Sequence, residues 1–176
     1  MSIYKKIATI GPKFIPKATL FKYGFNWSPM YKRSTAKIIA VSEDISEVKI
    51  KLSLNWKNRN YVNSIFGGSM FAAVDPIPMT QLLNVLGDDY IIWDKSAEIN
   101  FKRPAKETIY ADFTCSFEEV SAIKQRLKTE NEIEIVKTTE LTNKEQSTIF
   151  CVVHKTIYIT TKAYYKIKMA KKQKII

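Results

Sequence analysis

A chain of 176 residues, 45% apolar and 26% charged, has the length and make-up of one globular domain with a buried core, not of a disordered segment. No apolar run reaches the roughly 18 residues of a membrane span. The opening stretch MSIYKKIATIGPKFIPK lacks the continuous apolar centre of a signal peptide, so a cytoplasmic protein is expected. The formal charge of +11 is unevenly spread, since residues 162–176 hold six lysines and no acid. Such a segment can attract nucleic acid or anionic lipid, but no aromatic–basic recognition motif accompanies it. It reads as a solvated basic tail, with no nucleic-acid partner expected.

Residues 16–30, PKATLFKYGFNWSPM, read as a short aromatic helix that Pro29 stops, with Leu20, Phe21, Phe25 and Trp27 on its apolar surface. Residues 1–34 thus form an N-terminal helical segment. TAKIIAVS at 35–42 and EVKIKLSL at 47–54 read as two strands joined by a turn at Glu43–Ser46; in the second, Val48, Ile50, Leu52 and Leu54 alternate with polar residues. Gly68 to Leu86 is the longest apolar stretch and suits a buried helix, which Gly87 ends. Pro76 and Pro78 each delete a helical N–H and crowd the carbonyl four residues back, so this helix must kink or restart just after Asp75.

Strands are then expected over 91–102, 107–117, 132–142 and 147–161, with a short helix over 119–130 on the face of Val120, Ile123 and Leu127. Strands dominate and one long helix needs covering. The predicted class is α+β, an antiparallel sheet curled around a central helix, occupying residues 35–161.

The segment NYVNSIFGGSMFAAVDP, Asn60 to Pro76, concentrates the chemistry. A Gly67-Gly68 pair opens the helix, where free N–H groups and a partial positive charge stand and close approach is allowed. Asp75 follows two turns later, which supplies the means to stabilise an oxyanion and activate a water. Much else is excluded. One histidine, His154, and two separated cysteines, Cys115 and Cys151, make no zinc site. No Ser-His-Asp or Cys-His set, phosphate loop or dinucleotide fingerprint is present, and no cofactor is expected. His154 reads as an ordinary strand residue, and the cysteines read as core thiols.

These residues resemble the hot-dog-fold thioesterases of the phenylacetate-degradation type, whose segment N-x-x-G-x-x-H-G-G leads to an Asp on the central helix. Asn60, Gly67-Gly68 and Asp75 match it; Asn63 and Phe66 stand where those proteins have Gly and His. Ile99 to Ala105, INFKRPA, is similar to the strand ending I-x-[YF]-x-x-P-A. The FGG…DP form, the WDK at 93–95 and the aromatic N-terminal segment most resemble a bacterial hot-dog subgroup that is a domain of unknown function.

The resemblance implies an acyl thioester hydrolase, with acyl-coenzyme A as substrate. The Gly67 N–H would stabilise the oxyanion, Asn60 would orient carbonyl or water, and Asp75 would act as base or nucleophile. Asp94 stands where the family often places a Ser or Thr near the water, and would bring a second carboxylate tuned by Lys95. Phe66 and Gly68 would line the acyl site, and Lys102, Arg103 and Lys106 would meet the phosphates. The N-terminal segment would form a lid. Each has a plainer reading: helix packing for the glycines, a turn for Asn60, an ion pair for Asp94, a solvated strand end for the cations. Trp93 reads as core rather than as a ligand contact. A curled sheet leaves open edges, and the family shares sites between subunits, so a homodimer or dimer of dimers is expected. Phe66 in place of His supports a second reading, a non-catalytic acyl- or lipid-binding module.

Overall fold

A computed structural model describes residues 15–173. Residues 1–14 of the N-terminal segment and 174–176 of the basic tail lie outside the described residues. The elements in chain order are α1 (Lys17–Trp27), α2 (Pro29–Lys32), β1 (Ala36–Val41), β2 (Glu47–Leu52), α3 (Gly67–Val74), α4 (Pro76–Leu86), β3 (Tyr90–Phe101), β4 (Ile109–Thr114), α5 (Phe117–Glu130), β5 (Glu132–Thr142), β6 (Ile149–Thr161) and α6 (Lys162–Gln173). The six strands form one antiparallel sheet in the order β1-β2-β4-β5-β6-β3.

The central helix is two helices. Asp75 keeps helical angles (φ −48°, ψ −51°) and its N–H reaches the carbonyl of Phe71 at 2.9 Å, but Pro76 then opens α4. The proline break expected after Asp75 is thus present. Thr80 Oγ1 donates to the carbonyl of Pro76 at 2.6 Å. Ala73, Val74 and Ile77 pack with Ile38, Ile50, Leu52, Ile109, Ala111, Cys151 and Val153 in one buried cluster. Leu82 and Leu86 pack with Ile92, Ile123, Leu127, Ile133, Ile157 and Ile159 in a second. Gln81, 1% exposed, ties α4 to the sheet through its amide, which donates to the carbonyls of Ile45 (3.0 Å) and Ser46 (2.8 Å).

The N-terminal helix covers the edge of β1. The Asn26 amide mimics a neighbouring strand: its Nδ2 donates to the Ile38 carbonyl at 2.9 Å and its Oδ1 accepts the Ile38 N–H at 2.8 Å. Lys22 Nζ donates to the Ile39 carbonyl at 2.7 Å. Satisfying edge groups in this way blunts pairing with other chains. Phe21 is buried, with the ring of Phe25 at 4.9 Å and that of Tyr31 edge-on to Phe25 at 5.3 Å, so these rings anchor the segment to the sheet. Tyr31, fully buried, donates to the carbonyl of Ala73 at 3.0 Å, and burial pushes its phenol above the ordinary range. Of the aromatic residues expected to cover a pocket, only Trp27 turns to solvent, at 70% exposure.

At the opposite end, β3 is the other edge strand, and Trp93 to Glu98 are exposed. The basic segment read as a tail is helical as far as Gln173, with Lys168 paired to Glu132 at 2.5 Å. No helix among the described residues is long and apolar enough to cross a membrane.

Candidate functional site

The loop from Leu52 to Gly67 sets the position of the α3 N-terminus. Asn60 closes a tight turn: its Oδ1 accepts the N–H groups of Val62 (3.1 Å) and Ser64 (3.0 Å), and its Nδ2 donates to Ser64 Oγ at 2.9 Å. Both ends of the amide serve the turn. Phe66 is the N-cap. Its own N–H donates to the Asn58 carbonyl at 2.7 Å, and its carbonyl accepts the N–H groups of Ser69 (2.9 Å) and Met70 (3.2 Å). It supplies no side-chain cap, so Gly67 and Gly68 present first-turn N–H groups without one.

Two rings flank that helix end. A Cβ on Gly67 would stand 2.6 Å from the Phe101 ring, and one on Gly68 would stand 2.3 Å from the Phe66 ring. Both rings are more than half exposed. The glycines let two exposed aromatic rings lie close over the helix end, so a side chain at either position would push a ring aside. Lys102, Arg103 and Lys106 are exposed on the loop that follows Phe101. This loop is stitched to the α3 N-cap region by the bond from the Ile65 N–H to the Ala105 carbonyl at 2.8 Å.

A second constellation gathers at the helix break. Lys155 lies on β6 in the inward-facing row Cys151, Val153, Lys155, Ile157, Ile159, every member of which is buried. Its side chain is 3% exposed. Its ammonium meets Asp75 Oδ1 at 2.6 Å and Asp94 Oδ2 at 2.8 Å, and also donates to the Asp75 carbonyl. All three N–H donors of the lysine are thereby engaged. The two carboxylates remain 41% and 33% exposed. The cluster lies where the two apolar core clusters meet, with Val153 in one and Ile157 in the other.

A β-bulge delivers Asp94 to this cluster. Residues directly opposite in a ladder share a face of the sheet. Asp94 pairs with Ile157, whose side chain is inward; the register then shifts, and Ala97 pairs with Lys155. The extra residue is Lys95, which turns outward to Glu134. The sequence reading that Lys95 tunes Asp94 is therefore corrected: the partner cation is Lys155, sixty-one positions along. The core reading of Trp93 is corrected too. Ile92 takes the inward position at 4% exposure, and Trp93, opposite Tyr158 on the outer face, is 55% exposed.

Lys155 was missed. Its signal was present as one lysine interrupting an alternating row of Cys, Val and Ile, but a lone polar residue in a strand does not name its partners. The neighbouring His154 faces outward with Thr138 Oγ1 at 2.9 Å from its Nδ1. Both cysteines are free and buried; burial pushes each thiol up to about 11, with the Glu119 charge adding to the rise at Cys115.

A six-stranded antiparallel sheet with one broken helix across its face gives the chain the α+β hot-dog fold. Within it, the chain belongs to the family DUF4442, a domain of unknown function, which matches residues 17–159. Solved structures share the fold. A protein of unknown function from Pseudomonas aeruginosa, described as a probable thioesterase, superposes with a TM-score of 0.70 at 16% identity, over 81% of this chain and 95% of that one. A thioesterase from Haemophilus influenzae gives 0.56 at 13% identity, over 80% and 88%. A protein with unknown function from Chlorobaculum tepidum gives 0.62 at 12% identity, over 90% and 94%. At these identities the likeness is one of fold. No curated protein matches the chain.

Proposed function

We propose that this protein hydrolyses acyl thioesters, with acyl-coenzyme A as the substrate, at a site shared between two copies of the chain. The observation that carries this reading is Asp75: a half-exposed carboxylate at a helix break, held through one oxygen by a buried lysine. Aiming a carboxylate in this way suits a group that must deprotonate or direct a water. The Gly67 N–H is the oxyanion donor. Eight residues of helix separate Gly67 from Asp75, about 12 Å at 1.5 Å per residue, too far for both to act on one carbonyl. One copy supplies the helix end and its partner supplies Asp75. The exposed edge of β3, from Trp93 to Glu98, supports association of two copies there. Asp94 holds the far side of Lys155. Phe66 and Gly68 line the acyl side, Asn60 shapes the turn before the helix, and Lys102, Arg103 and Lys106 add positive charge beside the helix end.

The test is Asp75→Asn. Asn is close to Asp in size but is no base at neutral pH. Thiol release from acyl-coenzyme A substrates should fall at least 100-fold in kcat, with KM changed little, while the fold is kept. Wild-type protein that binds these substrates and releases no thiol above background would sink the hydrolase reading. It would favour the acyl-binding module that Phe66, in place of a polar residue, also supports.

A further inference from the structure

We propose that the cavity between α1, the start of β1 and the loop at 55–57 is a nucleotide site. It takes an aromatic base against Trp27 and Trp56 and the phosphates on Lys32, Lys37 and Lys57. Its occupant is the adenosine phosphate end of a coenzyme-A-type carrier. That last identification rests on the hydrolase reading; the nucleotide site itself does not.

The cavity is a groove open to solvent, with a volume of about 600 Å³. Two indoles stand in its wall with little of their own surface covered: Trp27 is 70% exposed and Trp56 83%. Tyr23 lies 5.4 Å from Trp27, ring to ring, and the Lys57 ammonium stands 5.4 Å from the Trp56 ring. Large aromatic faces left open beside cations suit a flat, electron-rich ring system carrying negative charge.

The charge is one-sided. No carboxylate lines the cavity, and none of Lys32, Lys37 and Lys57 pairs with an acid among the described residues. The sequence explains why: Met1 to Ser42 and Val48 to Val74 contain no Asp or Glu at all. The cavity wall, from Tyr23 to Lys37 and from Asn55 to Lys57, lies wholly within these segments and has no acid of its own to neutralise its lysines. An anion brought here gains attraction without displacing an existing ion pair.

The backbone that carries the wall is held by side-chain hydrogen bonds. Asn26 is held on the Ile38 backbone. Asn58, 2% exposed, donates to Thr35 Oγ1 at 2.7 Å and to the Ser53 carbonyl at 2.9 Å. Thr35 has φ of 66°, a conformation that a β-branched residue adopts only when its surroundings impose it. Preorganised walls lower the ordering cost of binding.

Position links the cavity to the proposed thioester site. Lys57 precedes Asn58, and the Asn58 carbonyl accepts the N–H of Phe66, the N-cap of α3. One hydrogen bond thus joins the cavity wall to the helix end that receives the thioester. A carrier with a nucleotide at one end and a thioester at the other would engage both places. A protein carrier has no base to place against the indoles.

The experiment titrates adenosine 3′,5′-bisphosphate into the full chain, followed by tryptophan fluorescence and by calorimetry. Three chains are compared: wild type, Trp27→Ala/Trp56→Ala, and Lys32→Glu/Lys37→Glu/Lys57→Glu. All five side chains border solvent, and circular dichroism checks that each variant is folded. Saturable binding is expected in the wild type, with at least a tenfold loss of affinity in both variants and displacement of the probe by coenzyme A. The lysine variant keeps the test decisive if removal of the indoles disturbs the fold. Absence of saturable binding would overturn the proposal. So would binding that survives both variants, or binding lost instead on Lys102→Glu/Arg103→Glu/Lys106→Glu. Failure of coenzyme A to displace the probe would overturn the carrier assignment. None of these readouts requires turnover, so a protein that binds the probe but hydrolyses no thioester refutes the hydrolase reading alone.

Discussion

Lys155→Met removes the cation at the centre of the buried cluster while keeping a long unbranched side chain between Val153 and Ile157. The lysine makes two charge-assisted bonds to carboxylates and one to the Asp75 carbonyl. Bonds to charged groups contribute about 1.5–3 kcal/mol each. Two facts reduce the loss. The carboxylates left behind are 41% and 33% exposed and can hydrate, and the methionine adds apolar contact where the two core clusters meet. We expect a net cost of about 2 kcal/mol, or roughly 4–8 °C in Tm for a chain of this size. The converse change is worse. Asp75→Asn/Asp94→Asn leaves an ammonium that is 3% exposed with no counter-charge, and stranding a buried charge costs about 3–5 kcal/mol. Urea unfolding followed by circular dichroism at one fixed protein concentration measures both. If the lysine variant is the less stable of the two, or if the double carboxamide variant unfolds with the wild type, the cluster is not a buried cation held by two half-solvated acids.

Gly67→Ala should force the Phe101 ring aside, because a Cβ there stands 2.6 Å from it. That ring is more than half exposed and can swing, so stability should fall by less than about 1 kcal/mol, while thiol release should fall at least tenfold if the Gly67 N–H is the oxyanion donor. A variant with unaltered turnover would show that the approach to the Gly67 N–H does not need the open space beside Phe101. Asp44 should titrate near pH 2 by NMR, because the Ser42 and Ser46 hydroxyls and the Ser46 N–H all donate to its carboxylate. Its folded pKa lies below its ordinary value of 3.8, so its contribution to the β1–β2 turn is fully present above that pH and is lost as pH falls towards about 2. A midpoint near 4 would show that the turn does not hold the carboxylate in solution.

The order of strands and helices was legible from hydrophobic period and punctuation. Alternation in EVKIKLSL and ETIYADFTCSF reports a sheet with one buried face, and Gly87, Pro29 and the Pro76–Pro78 pair mark where helices stop or restart. These are local properties, set by backbone sterics and by the burial of every second or every third-to-fourth side chain, so a linear reading reaches them. The helix break at Asp75 and the close glycine approach at the α3 N-terminus were legible for the same reason. What surrounds Asp75 was not. Lys155 reaches it from eighty positions away, and Asp94 joins them only because one extra residue at Lys95 shifts the ladder between β3 and β6. A bulge moves a side chain from one face to the other without altering composition or hydropathy, which is why Trp93 was expected inside and stands outside. Nor could the sequence bring Trp27 and Trp56 to one cavity, since that depends on α1 docking against β1 through Asn26, Lys22 and the Phe21 and Phe25 rings. Period and punctuation are written along the chain. Pairing register and the meeting of distant side chains are settled by which whole arrangement buries its apolar rows and leaves no polar group unanswered, and only the folded chain makes that choice.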